Sequence, residues 1–221
     1  AALKLAVTHC GLDVGEDGKT HQCIDYVGAF REMFGWRVIV PADPNQTDRA
    51  VRAAAAMQGN VCVAMGRSKL PVLLGSDGVP LFAGDYRFEY GRVDWAREGE
   101  DGCLLAMGTV AGSALAAADE IRERDGASLA VGIVACPLHL DGEAMMRVAG
   151  SRLVITAEDH GVHSGLGASV AIWLARAGAG VPLTVLGVSA YQSSGAAVDV
   201  LRHAGLDRAG IVSSARKALG L

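Results

Sequence analysis

The residues whose types suggest chemistry lie near the start of the chain, in a loop rich in glycine and ionisable side chains. This loop, residues 8–22, reads Thr-His-Cys-Gly-Leu-Asp-Val-Gly-Glu-Asp-Gly-Lys-Thr-His-Gln and contains His9, Asp17 and His21. We call it the glycine loop. Imidazoles titrate near neutral pH and therefore suit proton transfer, while glycines let a polar substrate approach the backbone. The pattern predicts a site that exchanges protons with a polar substrate.

A solvated turn and a metal site are the alternative interpretations of the glycine loop. A strand followed by Gly and Asp is usually a turn. A calcium loop of the EF-hand type does not fit, because Gly15 stands at the third ligand position counted from Asp13 and Ile24 replaces the bidentate Glu. The two histidines and Asp17 also lack the i, i+4 spacing of helical metal ligands. The sequence therefore predicts no metal site.

Composition indicates a globular α/β protein. The chain has 221 residues, of which 51% are hydrophobic, 20% charged and 5% aromatic, and it contains 29 glycines. The net charge of −4 argues against nucleic acid and anionic membranes as partners. Five scattered cysteines without a CxxC motif indicate reduced thiols, and no apolar run has transmembrane length. We therefore expect a cytoplasmic protein without membrane contact.

Predicted strands and helices alternate along the chain with short connections, which predicts a mostly parallel sheet covered on both faces. The predicted strands cover 3–7, 37–40, 60–65, 103–107, 128–135, 152–157 and 182–187. The predicted helices cover 23–34, 46–58, 110–124, 141–148, 165–177, 195–204 and 207–219. The polar segment 75–101 has no sustained period and predicts an interdomain linker that becomes a docking strand near its end.

The part of the chain before this segment has only three predicted strands and two helices. It opens with an apolar strand, 3–7, that we expect to be buried. Because a buried parallel strand needs neighbours on both sides, we expect this part to be the second half of a domain whose first half lies elsewhere.

The glycine loop resembles the signature of transketolases, which depend on thiamine diphosphate. In that family a strand ends in Thr-His and continues through Gly-Glu-Asp-Gly to a second Thr-His-Gln, as it does here. The resemblance continues in order through VIVPADPN (38–45), GRSKLP (66–71), AREGEDGCLLAMGT (96–109), ITAEDH (155–160) with GLG (165–167), and GVSAYQSSG (187–195). It implies the second half of a pyrimidine-binding domain over 1–80, a linker over 81–101, and a transketolase C-terminal α/β domain over 102–221.

The resemblance also implies a reaction and roles for four residues. Transketolases move a two-carbon ketol unit from a ketose phosphate to an aldose, with the cofactor as electron sink. By resemblance, His21 hydrogen-bonds the transferred unit and assists proton transfer, and Asp17 accepts a hydrogen bond from a substrate hydroxyl. His9 and Arg67 would bind the distal phosphate, the arginine through its planar fork of donors.

Other polar residues are expected to be structural. Asp13, Glu16 and Lys19 would shape the glycine loop. The segment 107–114 opens a helix, where close helix–strand packing is expected rather than an anion site. A second polar cluster is expected at an interface or on the surface, because the family gives that domain no established chemistry. Its members are Glu158, Asp159, His160 and His163.

Parts of the family pattern do not precede Ala1 in this sequence. They are the activating glutamate, the aromatic residues that flank the pyrimidine ring, and the diphosphate-binding domain with its Gly-Asp-Gly metal motif. We therefore expect thiamine diphosphate and magnesium to be bound mainly by a partner chain or a missing segment. The expected partner is an N-terminal transketolase subunit or segment that carries the diphosphate-binding domain, in a dimer-based assembly acting on a phosphorylated sugar.

Three alternatives stay open. The chain could be a non-catalytic assembly subunit, a deoxyxylulose-phosphate synthase-like or two-oxoacid dehydrogenase beta-like subunit, or an unrelated flavodoxin-like binding domain. The form Gly-Glu-Asp-Gly-x-Thr-His-Gln favours transketolase over the second, and the intact site residues count against the first and third. Cys10 replaces an acidic residue and Lys19 a proline of the common transketolases, so the resemblance does not identify the sugar.

Overall fold

The computed structural model describes residues 2–221, whose strands form two successive sheets. The first sheet has three parallel strands in the order β1–β3–β2, and with two α-helices it forms the first unit. The strands are β1 (Lys4–Val7), β2 (Trp36–Ile39) and β3 (Asn60–Ala64), and the helices are α1 (Tyr26–Arg31) and α2 (Pro44–Ala56). Their order and number match the sequence prediction for this part of the chain.

The second sheet has five strands in the order β4–β6–β5–β7–β8 and, with five helices, forms the second unit. Its strands are β4 (Val93–Arg97), β5 (Gly102–Met107), β6 (Leu129–Val134), β7 (Val154–Gly161) and β8 (Leu183–Val188). Its helices are α3 (Ala111–Asp125), α4 (Gly142–Ala149), α5 (Leu166–Arg176), α6 (Ala197–His203) and α7 (Arg208–Leu219). Only β4, at the end of the segment 75–101, runs antiparallel to its neighbour. The mixed α/β fold class predicted from the sequence is confirmed. Across residues 2–221, no helix combines the length and the hydropathy needed to cross a bilayer.

Helix boundaries follow local capping chemistry. The Asp43 carboxylate accepts a hydrogen bond from the Gln46 amide at 2.7 Å, and Pro44 occupies the first turn of α2, where a missing N–H costs nothing. Asp207 caps α7 in the same way, through the amide of Gly210 at 2.9 Å. These side chains satisfy amides that have no partner within the helix, and they fix where each helix starts.

Burial differs between the two sheets. Every residue of β5 and β6 is buried, as expected for parallel strands covered by helices on both faces. Strand β1 pairs only with β3 and is an edge strand, with Ala6 exposed and Leu3 just before it 50% exposed. The expectation that this first strand is buried is therefore wrong for residues 2–221, because one side of β1 has no neighbouring strand.

The two sheets meet through the carboxyl ends of their strands. The amide of Val40, after β2, donates to the carbonyl of Ala135, after β6, at 2.7 Å. Gly161, at the end of β7, donates to the carbonyl of Ile24 at 2.6 Å. In open α/β sheets this edge is where ligands usually bind. In the second unit it is covered by the first unit instead.

The segment 107–114 lies in this contact. A Cβ atom on Gly108, whose φ is 62°, would come within 2.9 Å of Val40. The structure therefore agrees with the expectation of close packing here.

Strand β7 is longer than predicted, because three consecutive buried polar residues, Glu158, Asp159 and His160, continue it. His160 Nε2 accepts a hydrogen bond from the Val27 amide at 3.0 Å, and its ring meets Tyr26 edge-on. Burial lowers the pKa of His160 to about 4, so the ring stays neutral and can accept this bond. Strand β7 thereby holds the start of α1.

We expect His160 to make the stability of the chain depend on pH. Between about 6.5 and about 4 the unfolded chain binds a proton that folded His160 excludes, so the free energy of unfolding falls as pH falls through this window. The loss attributable to His160 is at most about 3 kcal/mol. The measurement is denaturant unfolding across this window, compared with His160→Gln, which keeps an acceptor but does not titrate.

The difference between wild type and His160→Gln isolates the contribution of His160 to the pH dependence of stability. Burial raises the pKa of Glu158 to about 7 and that of Asp159 to about 6, and these groups act in the opposite direction in both proteins. Parallel pH curves for wild type and variant would contradict the prediction.

Candidate active site

Backbone hydrogen bonds bring the two ends of the glycine loop next to the end of β3. The amide of Cys10 donates to the carbonyl of Met65 at 3.1 Å, and the amide of Gly11 donates to the carbonyl of Cys23 at 2.8 Å. Residues 66–71, which we call the arginine loop, leave β3 at the same edge. The segments that carry the predicted site residues therefore start from one edge of the first sheet.

The two predicted histidines have the same local environment. In each case the preceding threonine hydroxyl meets ring atom Nδ1, at 2.8 Å for Thr8 with His9 and 2.9 Å for Thr20 with His21. Both imidazoles are exposed, and His9 has a φ of 64°, which is uncommon for a residue other than glycine. Since the hydroxyl occupies Nδ1, Nε2 is the ring nitrogen left for a substrate in both residues.

The structure brings Arg67 together with two carboxylates of the glycine loop. Its Nη1 donates to the carbonyl of Val14 at 2.8 Å, pairs with Glu16 at 2.8 Å and lies 3.7 Å from Asp17 Oδ1. All these contacts use one nitrogen, so the Nε–Nη2 edge stays available for an anion with two parallel acceptors. The side chains are partly exposed, and an exposed pair of this kind is easily displaced.

A buried carboxylate of the second unit fixes the start of the glycine loop. Asp159 Oδ1 accepts from the Leu12 amide at 2.7 Å, and Oδ2 accepts from the Asp13 amide at 3.2 Å and the Thr109 hydroxyl at 3.1 Å. Burial raises the pKa of Asp159 to about 6, and these hydrogen bonds act against that rise. Gly11 is required here, since its φ is 78° and a Cβ atom would lie 2.3 Å from Asp159 Oδ2.

A second buried carboxylate joins the two loops to each other. Asp13 is 3% exposed, and its Oδ2 accepts from the Ser68 amide at 2.7 Å. A Cβ atom on Gly66 would lie 2.4 Å from the same oxygen, so only glycine allows this approach. Asp13 is thus structural, as predicted, but the sequence did not show that it holds the arginine loop.

The far end of the glycine loop is tied to the loop that follows β8. Gln22 is 4% exposed, and its Oε1 accepts from the Gln192 amide at 2.8 Å while its Nε2 donates to the Gln192 carbonyl at 3.0 Å. Gly18 lies so close to Ser194 that a Cβ atom would meet its Oγ at 2.2 Å. The second unit therefore holds the glycine loop at both of its ends.

The sequence did not identify three residues that hold the two loops by hydrogen bonds. They are Asp13, Gln22 and Asp159. The signal for Asp159 was present, since Glu158, Asp159 and His160 directly follow an apolar strand. We expected that cluster at an interface or on the surface. The first three members are buried where the two units meet, and His163 is exposed.

The cysteine beside His9 is a core residue. Cys10 is 7% exposed, and burial raises the pKa of its thiol to about 12. It therefore behaves as a small neutral side chain. The backbone of Cys10 forms an isolated β-bridge with that of Cys23. Both thiols are free, and Cys23 is exposed.

Two family profiles match the chain. The profile described as "Transketolase, pyrimidine binding domain" matches residues 1–72. The profile described as "Transketolase, C-terminal domain" matches residues 91–211, which is more than half of the chain.

Curated relatives agree with these matches. The chain is 30% identical over 206 residues to a Methanocaldococcus jannaschii protein named as a transketolase C-terminal section, covering 93% of this chain and 62% of that one. It is 27% identical to one of the subunits of the apulose-4-phosphate transketolase of Actinobacillus succinogenes, covering 96% and 67%. It is 33% identical to 1-deoxy-D-xylulose-5-phosphate synthase of Thioalkalivibrio sulfidiphilus, covering 97% and 32%. The chain thus spans about one third to two thirds of the length of these relatives.

Solved structures show the same fold. A structure described as a split gene transketolase, inactive beta4 tetramer, is 33% identical with a TM-score of 0.86, covering 99% of this chain and 67% of that one. Transketolase from Campylobacter jejuni is 23% identical with a TM-score of 0.72, covering 97% and 31%, a likeness that shows the fold alone.

We expect Gln22 to stabilise the contact between the two units. In Gln22→Met the backbone N–H and C=O of Gln192 lose their partners, so the free energy of unfolding should fall by about 2 kcal/mol. The matched control is Gln192→Ala, which keeps both backbone groups and removes only an exposed contact to Ala190, with an expected change within about 0.5 kcal/mol. Denaturant unfolding measures both, and equal losses would contradict this role.

Proposed function

The chain belongs to the transketolase family, and on that premise we propose that it supplies the substrate side of a transketolase-type active site. In this proposal partner chains or further polypeptide complete the site, which transfers a two-carbon ketol unit between a ketose phosphate and an aldose. The observation that carries the proposal is the common anchoring of the glycine and arginine loops. The loops that carry His9, His21, Asp17 and Arg67 leave one edge of the first sheet, and Asp13 ties the two loops together.

The proposed roles of His21 and Asp17 concern the reacting end of the sugar. His21 presents Nε2, because Nδ1 is occupied by Thr20, and would exchange a proton with an oxygen of the transferred unit. Asp17 is partly exposed and would accept a hydrogen bond from a substrate hydroxyl. A substrate held by both groups is fixed in orientation before proton transfer.

The proposed role of His9 and Arg67 is to bind the phosphate at the other end. The Val14 carbonyl and the Glu16 carboxylate hold one guanidinium nitrogen, so the Nε–Nη2 edge can meet two phosphate oxygens. Glu16 also partly neutralises the guanidinium, so Arg67 would attract a phosphate less strongly than an unpaired arginine does. A weaker attraction favours release of the product after turnover.

Thiamine diphosphate, when bound, would supply the electron sink for cleavage of the carbon–carbon bond. The donors of this site are imidazoles and a guanidinium already paired with carboxylates. They suit sugar hydroxyls and a terminal phosphate better than a diphosphate with its magnesium ion. We therefore assign the cofactor and the ion to a partner chain or to further polypeptide, and no residue of this chain to either.

The surface of the first unit supports a partner. Strand β1 has an open edge among residues 2–221, Leu3 is 50% exposed beside it, and Phe34 is fully exposed. An open apolar edge is a ready surface for another chain. Relatives named as a C-terminal section, as one transketolase subunit among others and as a split gene product support the same arrangement.

A deoxyxylulose-phosphate synthase is the second candidate function. Relatives with that name are 29% to 34% identical to this chain, whereas mouse transketolase is 25% identical. The assembled enzyme distinguishes the two candidates by its product, which would be 1-deoxyxylulose 5-phosphate in the second case.

We expect His21→Ala and Asp17→Ala each to lower kcat by about 10²–10⁴-fold in the enzyme assembled with its partner, thiamine diphosphate and magnesium. The reason is that His21 would exchange a proton with the transferred unit, and Asp17 would hold a substrate hydroxyl in the orientation that this transfer needs. The measurement is ketol transfer from a ketose phosphate, with assembly checked by size-exclusion chromatography. His163→Ala, an exposed histidine outside the site, is the control. Unchanged turnover in both variants would favour a non-catalytic assembly subunit.

We expect Arg67→Ala to act mainly on KM. Loss of a paired guanidinium from the phosphate should raise KM for phosphorylated substrates by about 10–100-fold with a small change in kcat. The same variant is measured with a ketol donor that has no phosphate, for which KM should barely move. Arg52→Ala on the exposed face of α2 is the matched control. An equal rise in KM for both donors would show that Arg67 supports the loop rather than the phosphate.

A further inference from the structure

We propose that Asp159 is the positioning residue for both substrate-side loops. It would hold the glycine loop directly and the arginine loop through Asp13. The effect on substrate rests on the proposed function, but the positioning itself is a property of this chain. Asp159 lies in the second unit and acts through backbone groups of the first.

The first link is the carboxylate of Asp159 against the backbone of the glycine loop. Its two oxygens take the amides of Leu12 and Asp13 together with the hydroxyl of Thr109. The residue is 6% exposed, so the protein itself supplies the donors that this carboxylate needs. A buried carboxylate that loses its donors is strongly unfavourable, and this cost fixes the loop to β7.

The second link is the carboxylate of Asp13 against the arginine loop. The bond from Asp159 to the Asp13 amide sets the backbone at Asp13, and the side chain then accepts from the Ser68 amide. Ser68 directly follows Arg67, whose Nη1 returns to the Val14 carbonyl of the glycine loop. The contacts close a ring in which each carboxylate orders the next segment.

The neighbouring residue provides an internal comparison. Glu158 is also buried, and its two oxygens accept from the amides of Leu166 and Gly167 at the start of α5. Those donors belong to the second unit itself. Loss of Glu158 should therefore cost stability without releasing either loop, whereas loss of Asp159 should release both. If any buried carboxylate of β7 only stabilised the fold, loss of Glu158 and loss of Asp159 would affect the two loops equally.

The test is amide hydrogen exchange, followed residue by residue by NMR on the full 221-residue chain. In Asp159→Asn the side chain keeps one acceptor oxygen and turns an NH₂ group toward the second donor. Protection of the Leu12, Asp13 and Ser68 amides should fall together, by roughly tenfold or more. In Glu158→Gln protection should fall at the start of α5 and stay unchanged at Leu12 and Ser68.

A second variant tests the order of the links. In Asp13→Ala protection of Ser68 should fall while that of Leu12 stays, because alanine removes the acceptor of the Ser68 amide and the bond from Leu12 to Asp159 remains. This variant also decides the inference if Asp159→Asn does not fold. Unchanged protection of Ser68 in either variant, or loss at Leu12 and Ser68 in Glu158→Gln, would overturn the proposal.

The assembled enzyme gives a second readout. Asp159→Asn should raise KM for a phosphorylated substrate by about tenfold and lower kcat as well, because it loosens both loops, and Glu158→Gln should change neither. Unchanged kinetic constants in Asp159→Asn would contradict positioning of the site. If the assembled wild type shows no ketol transfer, the proposed function fails, while the exchange measurements still decide the role of Asp159.

Discussion

A buried carboxylate from one unit that accepts backbone amides from the other is the contact on which this structure depends. Asp159 lies at the carboxyl end of β7, is 6% exposed, and accepts hydrogen bonds from the amides of Leu12 and Asp13. The carboxyl ends of both sheets face each other across this contact. Loops that leave one sheet are therefore bound by residues of the other unit. The glycine loop therefore has a fixed shape despite its many glycines, because its ends are bound to the second unit.

This arrangement places the carboxyl edge of the second sheet against the first unit. The edge at which an open α/β sheet usually binds a ligand is occupied by the first unit. Three successive residues of β7 each bind backbone amides of a different segment. Glu158 holds α5 of its own unit, Asp159 holds the glycine loop, and His160 holds the start of α1. The second unit thus fixes the conformation of the glycine loop of the first unit.

The alternation of apolar and polar segments predicted the fold well, and contacts between distant segments account for what it missed. Strand β7 was predicted to end at residue 157, because the polar run from Glu158 breaks the apolar pattern. The strand continues to Gly161, since Asp159 and His160 bind backbone amides of the other unit and Glu158 binds amides of its own. Helix α1 starts at Tyr26 rather than 23, because the backbone of Cys23 forms a β-bridge with the backbone of Cys10 and is therefore not helical.

The roles of the site residues stay predictions, but their placement can be compared with the structure. Motif and residue type identified His9, Asp17, His21 and Arg67 as candidates, and all four lie on loops that leave one sheet edge. The pairing of Arg67 with Glu16, 51 residues away, and the hold of Asp13 on Ser68 depend on the folded backbone. Nothing in the local sequence encodes either contact.

The most direct test of this account is a crystal structure of the chain with its partner and a bound sugar phosphate. The account predicts the phosphate against the Nε–Nη2 edge of Arg67 and beside His9, with the amides of Leu12 and Asp13 still bound to Asp159. A phosphate bound away from Arg67, or a glycine loop detached from Asp159 in the occupied site, would contradict it.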